Sequence, residues 1–150
     1  MAGITSALCT SFKVELLEGD HDFNNGADAF KIALFKANSS ISGTYGAATT
    51  NYSDVTGNSD ETSGTGYSSG GNTLTNVDPT TSGTTAFADF ADTSWTSATF
   101  TTRGAIIYNT NDSNSAVMII DFGADFSVSG GTFTVEFPTA GASTAILRIA

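Results

Sequence analysis

The chain has 150 residues, 39% of them hydrophobic, and a mean hydropathy of +0.01, values typical of one soluble globular domain. Fifteen acidic residues face five basic ones, for a net charge of −10, which argues against binding to nucleic acids or anionic membranes, because both require clustered lysines and arginines. Cys9 is the one cysteine, which excludes an intrachain disulfide and a thiolate metal site.

The first residues, MAGITSALCTSF, have neither a positively charged start nor a continuous apolar stretch, so they predict no signal peptide. Leu8 directly before Cys9 also argues against a lipoprotein signal, which would place a small residue there. No run approaches the ~18 apolar residues of a membrane span. We therefore expect a protein that is made in the cytoplasm, with residues 1–11 as an extended segment in front of the domain.

The first half of the chain contains two main predicted elements, residues 12–19 (FKVELLEG) and 29–37 (AFKIALFKA). The second also fits a helical period, but its Ile and Phe residues and the nearby Gly26 favour a strand. Further strands are predicted at residues 73–77 and 85–95.

The second half shows the clearest strand signals. Residues 100–109 and 116–123 are predicted to form a hairpin, because the intervening NTNDSNS supplies turn residues. Gly130-Gly131 lies between two β-rich runs and predicts another tight turn. Residues 143–150 supply a last strand. About eight strands in one domain predict an all-β, antiparallel β-sandwich, jelly-roll-like, with one long loop.

That long loop is residues 38–73, which contain few large apolar side chains. Isolated tyrosines in such a loop can anchor a contact with another chain. Alternatively, they attach the loop to its own sandwich. Both interpretations remain open at this point. The large apolar side chains of the loop are Ile41, Tyr45, Tyr52, Val55 and Tyr67.

Residues 66–73, GYSSGGNT, match the phosphate-loop pattern except that Asn72 replaces its lysine. Asp60 and Glu61 precede the pattern, and TLTNVDP follows it, so neither the strand before nor the helix after such a loop is predicted. The pattern therefore argues against nucleotide binding. Its glycines are predicted to provide positive φ angles for a tight return into the next strand.

Asp20, Asp22 and Asn24 have the spacing that begins a calcium-binding loop. However, Gly26 comes one position too late for the required turn, and Lys31 stands where the bidentate glutamate would be. The segment therefore predicts a solvated turn between strands and no metal site, with adventitious or structural calcium as the alternative. His21, the one histidine, is flanked by two aspartates and is predicted to be a solvated turn residue.

No enzyme active site is predicted. The chain lacks a GxSxG motif, Cys9 is expected to act as a small hydrophobe, and Asp89 and Asp92 fit a strand face as well as glycosidase acid–base chemistry. We expect no cofactor. Arg103 is predicted to make a specific ion pair, buried or at an interface. Four aromatic residues could line a sugar-binding face but are expected in the core: Phe87, Phe90, Trp95 and Phe100.

From about residue 11 to 138 the chain resembles a family of small virion structural proteins of tailed bacteriophages. The resemblance is carried by these segments in this order: SFKVELLEGDHDF, DAFKIALF, ETSGTGYSSGGNTL, TAFADFADTSWTSATFTTRGAIIYN and AVMIIDFGADFSVSGGTFTVEFP. It implies a decoration, or cement, protein on the capsid surface of a virion, with the major capsid protein and further copies of itself, as a dimer or trimer, as partners. It brings no catalytic residues.

Two other classes remain open: a tail- or fibre-associated virion protein, and a carbohydrate-binding β-sandwich. For the capsid or subunit interface we expect side chains from the N-terminal segment and the long loop, because an internal core accounts for them least. The candidate interface residues are Ile4, Leu8, Phe12, Ile41, Tyr45, Tyr52, Tyr67 and Arg103.

Overall fold

The computed structural model describes residues 2–150 and is 48% strand and 11% helix. The helices are α1 (Thr10–Glu18) and α2 (Ser53–Gly57), with a 3₁₀ turn at Asn38–Ser40. The strands are β1 (Gly3–Ile4), β2 (Ala7–Leu8), β3 (Phe30–Leu34), β4 (Thr44–Tyr45), β5 (Asn72–Thr73), β6 (Asn76–Ser82), β7 (Thr85–Phe90), β8 (Thr93–Asn109), β9 (Ser115–Val135) and β10 (Leu147–Ile149).

The strands form two antiparallel sheets, in the orders β2-β9-β8-β3-β5 and β10-β7-β6, and β1 pairs separately with β4 in parallel. Phe30 of the larger sheet contacts Phe90 of the smaller one, with ring centroids 5.6 Å apart, and Phe23 stacks on Phe30 at 4.5 Å. This confirms the predicted all-β antiparallel sandwich, whose jelly-roll connectivity stays a prediction.

The predicted hairpin around residues 109–115 is confirmed. Asn109 pairs with Ser115, and Ile106 and Ile107 pair with Ile119 and Met118. Residues 106–109, which end β8, and residues 116–119 of β9 are all buried. Their continuous burial explains why the sequence there is apolar on both faces rather than alternating.

Residues 12–19 were predicted as a strand, and this prediction is wrong: they belong to α1. Phe12 is fully buried, while Leu16, one helical turn later, packs against the core. Gly19 ends the helix with φ +88, and the amide of Asp20 donates to the Glu15 carbonyl at 2.9 Å, a left-handed C-terminal cap. The spacing of Phe12 and Leu16 is helical, but the segment is short enough to fit either period.

The tight turn predicted at Gly130-Gly131 is also wrong. β9 continues through these residues, and β8 follows it on the other side, with Thr99 opposite Ser129 and Ala98 opposite Gly131. Gly130 has φ +62 and is itself the residue that has no partner in β8. The glycines therefore form a β-bulge inside one long strand, because β8 pairs with β9 on both sides of them.

The N-terminal residues are folded into the domain rather than extended in front of it. β1 pairs with β4, β2 pairs with Ile119 and Met118 of β9, and the amide of Cys9 donates to the Val117 carbonyl at 3.0 Å. No helix in residues 2–150 is long and apolar enough to cross a membrane.

Candidate interaction surface

Most of the predicted interface residues serve the chain's own core, which corrects that prediction. Four of the eight are buried, with exposed fractions of 8% or less, and three are partly buried and packed against the core. The second interpretation of the tyrosines is therefore the one that the structure supports: they attach residues 38–73 to the sandwich. The buried residues are Ile4, Phe12, Ile41 and Tyr45, and the partly buried ones are Leu8, Tyr52 and Tyr67.

Asp60 fixes the first part of this segment. Its side chain is buried, and its carboxylate accepts hydrogen bonds from the amides of Ser42 and Gly43 at 2.9 and 2.8 Å and from the Tyr45 hydroxyl at 2.7 Å. Burial raises the pKa of Asp60, but the hydrogen bonds from Tyr45, Gly43 and Ser42 outweigh it, so the net pKa lies below the ordinary value.

Glu61 fixes the second part. Its carboxylate accepts from the hydroxyls of Tyr52 and Tyr67 at 2.6 and 2.7 Å, and from the amide of Gly70 at 2.7 Å. The Tyr67 hydroxyl in turn accepts from the Leu34 amide of β3 at 2.9 Å. Burial, followed by the Glu61 hydrogen bond, raises the pKa of Tyr52 to about 12. Sequence reasoning treated these acids only as residues that precede the phosphate-loop pattern; the nearby tyrosines were the signal that could have identified their role.

The phosphate-loop-like glycines have the positive φ angles that were predicted, +76 at Gly66, +91 at Gly70 and +72 at Gly71. They lead into β5, which pairs with β3, so no helix follows them. Gly71 also lies so close to β3 that a β-carbon there would overlap the Ile32 carbonyl. The glycines of this motif therefore allow the backbone of the loop to lie directly against the backbone of β3.

His21 is buried, which corrects the prediction of a solvated turn residue. The Asn109 Nδ2 atom lies 2.7 Å from Asp28 Oδ2 and 3.0 Å from His21 Nδ1. A carboxylate can only accept, so this amide donates to both, and the proton of the neutral imidazole belongs on Nε2. Nε2 then donates to Glu15 Oε2 at 2.9 Å.

Glu15, His21 and Asp112 lie close enough together to suggest a metal site. The imidazole nitrogen that faces both carboxylates, however, carries the hydrogen and has no free lone pair for an ion. We therefore assign the cluster as a hydrogen-bond network that ties α1 to the turn between β8 and β9.

The candidate calcium ligands form a local turn. Asp22 Oδ1 accepts from the amide and the side-chain nitrogen of Asn24, at 3.0 and 2.7 Å, and the Asp22 amide donates to Asp28 at 2.9 Å. Asp20 is exposed. These bonds account for the spacing as a turn, without an ion.

Burial or hydrogen bonds within the chain account for the other residues that were considered for catalysis or sugar binding. Cys9 is buried, and burial, then Glu15 and Asp54, raises the pKa of its thiol to about 12, so it is a small apolar group, as expected. Asp92 accepts from the Phe137 amide at 2.8 Å. The four aromatic residues considered for a sugar-binding face are all buried: Phe87, Phe90, Trp95 and Phe100.

Asp89 is buried, with Oδ1 accepting from the Phe90 amide at 2.9 Å and Oδ2 unpaired. Burial, with Asp92 nearby, raises its pKa. A raised pKa in the folded state means that stability falls as the pH rises from 3.8 through the folded-state pKa. We therefore expect Asp89→Asn to gain melting temperature over the wild type by a few degrees as the pH increases from acid to neutral. Calorimetry across that range checks this, and a difference that stays constant with pH would contradict it.

One aromatic surface of the sandwich remains open. Phe133 contacts Phe100 of the core at 5.6 Å and Phe122 at 6.0 Å, and Phe122 contacts Phe126 at 6.2 Å. Phe126 is 47% exposed. The surface is a shallow, mostly apolar groove of about 300 Å³, which we call the aromatic groove. It is lined by Phe122, Phe126, Phe133, Thr134, Val135 and Glu136.

Arg103 lies opposite the bulge of β9 that contains Phe122. Gly104 pairs with Asp121 and Thr102 pairs with Phe126, so residues 122–125 of β9 bulge opposite Arg103 alone. The Arg103 Nε atom donates to Asp121 at 2.8 Å, and Nη1 lies 3.9 Å from Asp125. The hydrogen bond from Arg103 lowers the pKa of Asp121. Arg103 thus makes the predicted specific ion pair, but within the chain.

We expect Arg103→Gln to loosen the bulge, because Asp121 and Asp125, at its two ends, would lose the positive charge that pairs with them. The amides of residues 123–126 should exchange hydrogen several-fold faster, while the core of β8 and β9 keeps its protection. Hydrogen-exchange mass spectrometry checks this, with the exposed Arg148→Gln as the matched control. Equal exchange in both variants would show that the ion pair does not hold the bulge.

Comparison with protein-family models, with curated proteins and with solved structures found no match to this chain. The function therefore has to be argued from the groove, from the charge of the chain and from the resemblance in its sequence.

Proposed function

We propose that the chain is a non-enzymatic virion structural protein that binds the outer surface of a bacteriophage capsid through the aromatic groove and stabilises the shell by bridging capsid subunits. The observation that carries this proposal is the aromatic groove, in which rings that contact one another extend to the exposed Phe126. The bacteriophage context is supported by the sequence resemblance.

An exposed aromatic patch with a polar rim is typical of a protein-binding surface. Phe126 is the exposed residue; its ring contacts Phe122, which in turn contacts Phe133. Because the rings already contact one another, little side-chain entropy remains to be lost on binding. The groove can therefore anchor a partner although it is small.

The charge of the chain and the size of the groove suit binding to the repeated subunits of a capsid. A net charge of −10 favours a partner with a basic exterior. One contact of this size is modest, but many copies bound across neighbouring subunits would add up to substantial stabilisation of the shell. The major capsid protein is the proposed partner, and further copies of this chain, as dimers or trimers, are proposed to share the lattice.

Co-sedimentation with capsids that lack the protein tests the proposal. The wild type should bind saturably, in a fixed ratio to capsid subunits, and should raise the melting temperature of the shell. Phe126→Ser should lower the affinity about tenfold, the cost of losing a central aromatic contact. Leu17→Ser, at a side chain 90% exposed on α1, is the matched control and should bind like the wild type.

Absent binding would refute the capsid role, and only a few copies in each particle would favour the tail-associated alternative. Binding that Phe126→Ser and Leu17→Ser leave equally strong would refute the role of the groove.

A further inference from the structure

We propose that the outer edge of β9, beside the aromatic groove, receives an extended segment of a partner chain as an additional antiparallel strand, and that this segment alternates apolar residues with lysine or arginine. The inference rests on the proposed function for the identity of the chain that supplies the segment. The chemistry of the segment follows from the edge and from Glu136 beside it.

The edge is available along most of its length. On the side away from β8, β9 pairs only with β2, at Met118 and Ile119. Residues 114–117 are covered by hydrogen bonds with Thr50, Tyr52 and Cys9. Beyond these positions no strand within residues 2–150 pairs with the outer edge of residues 122–135. Backbone donors and acceptors on that side are therefore free to accept a strand.

A regular section of this edge lies next to the groove. Between the two bulges, Phe126, Ser127, Val128 and Ser129 pair in register with Thr102, Thr101, Phe100 and Thr99. Phe126 and Val128 lie two residues apart and so share one face. Phe100, opposite Val128, is buried, which places that face on the groove side. A strand added here would place every second side chain over the groove, which calls for apolar residues.

The charge beside this edge indicates which residues should alternate with the apolar ones in the added segment. β9 contains Asp121 and Asp125 and no basic residue. Asp121 is neutralised by Arg103, and Asp125 accepts from the Asn38 amide at 2.9 Å, whereas the exposed Glu136 forms the rim of the groove. A lysine or arginine at the end of the added strand near the rim of the groove would form an ion pair with the Glu136 carboxylate. A second copy of this chain would instead bring like charges together, which disfavours pairing of β9 with itself.

The edge lacks some of the features by which proteins block such strands. No proline and no lysine or arginine lies in β9, which is 21 residues long. It does have β-bulges on either side of residues 126–129, and these limit pairing to the short section between them. The expected complex is therefore a short strand held by a few main-chain hydrogen bonds, with side chains giving the specificity.

The test uses the purified full-length protein with three short synthetic peptides. The first alternates lysine with valine, the second alternates glutamate with valine, and the third is the first with every second amide N-methylated. We expect the lysine peptide to protect the amides of residues 126–129 from hydrogen exchange and to weaken with added salt. The glutamate and N-methylated peptides should bind at least about tenfold more weakly, since they lack charge complementarity and main-chain pairing.

Two variants locate the site. Glu136→Lys should weaken the lysine peptide about fivefold, whereas the equally exposed Glu18→Lys on α1 should not. Equal binding of the three peptides, or protection elsewhere in the chain, would overturn the proposal. So would protection of residues 126–129 that appears without peptide and grows with protein concentration, since the occupant would then be a second copy.

The capsid assay separates this inference from the proposed function. Capsid binding that Glu136→Lys leaves unchanged would refute the added strand while the capsid role stands. Selective binding of the lysine peptide by a protein that does not sediment with capsids would support the edge site and refute the capsid role.

Discussion

Gly71→Ala is expected to lower the free energy of unfolding by at least about 3 kcal/mol. Gly71 has φ +72, a conformation that costs a residue with a β-carbon about 1 kcal/mol or more. In addition, the new β-carbon would overlap the carbonyl of Ile32 in β3. Ile32 is fully buried in a strand that is paired on both sides, so its carbonyl cannot move aside without disturbing the pairing of Ile32 with Asn72 and Ile107.

Urea denaturation of both proteins measures this change. Gly26→Ala is the matched control, because Gly26 has φ +86 with no atom near its would-be β-carbon. The control carries the backbone strain alone and should lose only about 1 kcal/mol. Equal losses at the two positions would mean that the close contact with β3 contributes nothing, and that the glycines serve only as turn residues.

Asp60→Ala is expected to cost about 3 kcal/mol of folding stability. The buried carboxylate accepts from two amides and from the Tyr45 hydroxyl, and its removal leaves these donors without partners where water does not reach them easily. The damage should be local first: residues 42–45 should lose their hydrogen-exchange protection before the β8–β9 hairpin does.

The pH dependence gives a second readout of Asp60. Its pKa is lowered on folding, so its contribution to stability is fully present above the ordinary value of 3.8 and is lost as the pH falls toward the folded-state pKa. The stability gap between wild type and Asp60→Ala should therefore shrink in acid, opposite to the trend for Asp89. The exposed Asp20→Ala is the control for a simple change of net charge. A gap that does not depend on pH would show that the ionised form of Asp60 is not what holds the segment.

The aromatic groove could not be predicted from the sequence. Phe126 and Phe133 alternate with polar residues in the way that buried strand residues do. Whether such a face is covered depends on what crosses it. Tyr67 covers the part of the face at Trp95 and Phe100, at 6.1 and 5.7 Å, and the cover ends before Phe126. The predicted interface residues failed for the complementary reason, since their local sequence is polar while their partners are distant in the chain.

The sequence by itself determined the β-rich class, the hairpin at residues 109–115 and the positive φ angles of Gly66, Gly70 and Gly71, because strand alternation and turn chemistry act between neighbouring residues. Only the tertiary structure decided that residues 10–18 form a helix, that β9 continues through Gly130-Gly131, and that His21 and Asp60 are buried. In each of these cases the energy comes from a partner far along the chain. α1 gains its stability by burying Phe12, the bulged strand gains it by pairing with β8, and the buried polar groups gain it from donors and acceptors on other elements.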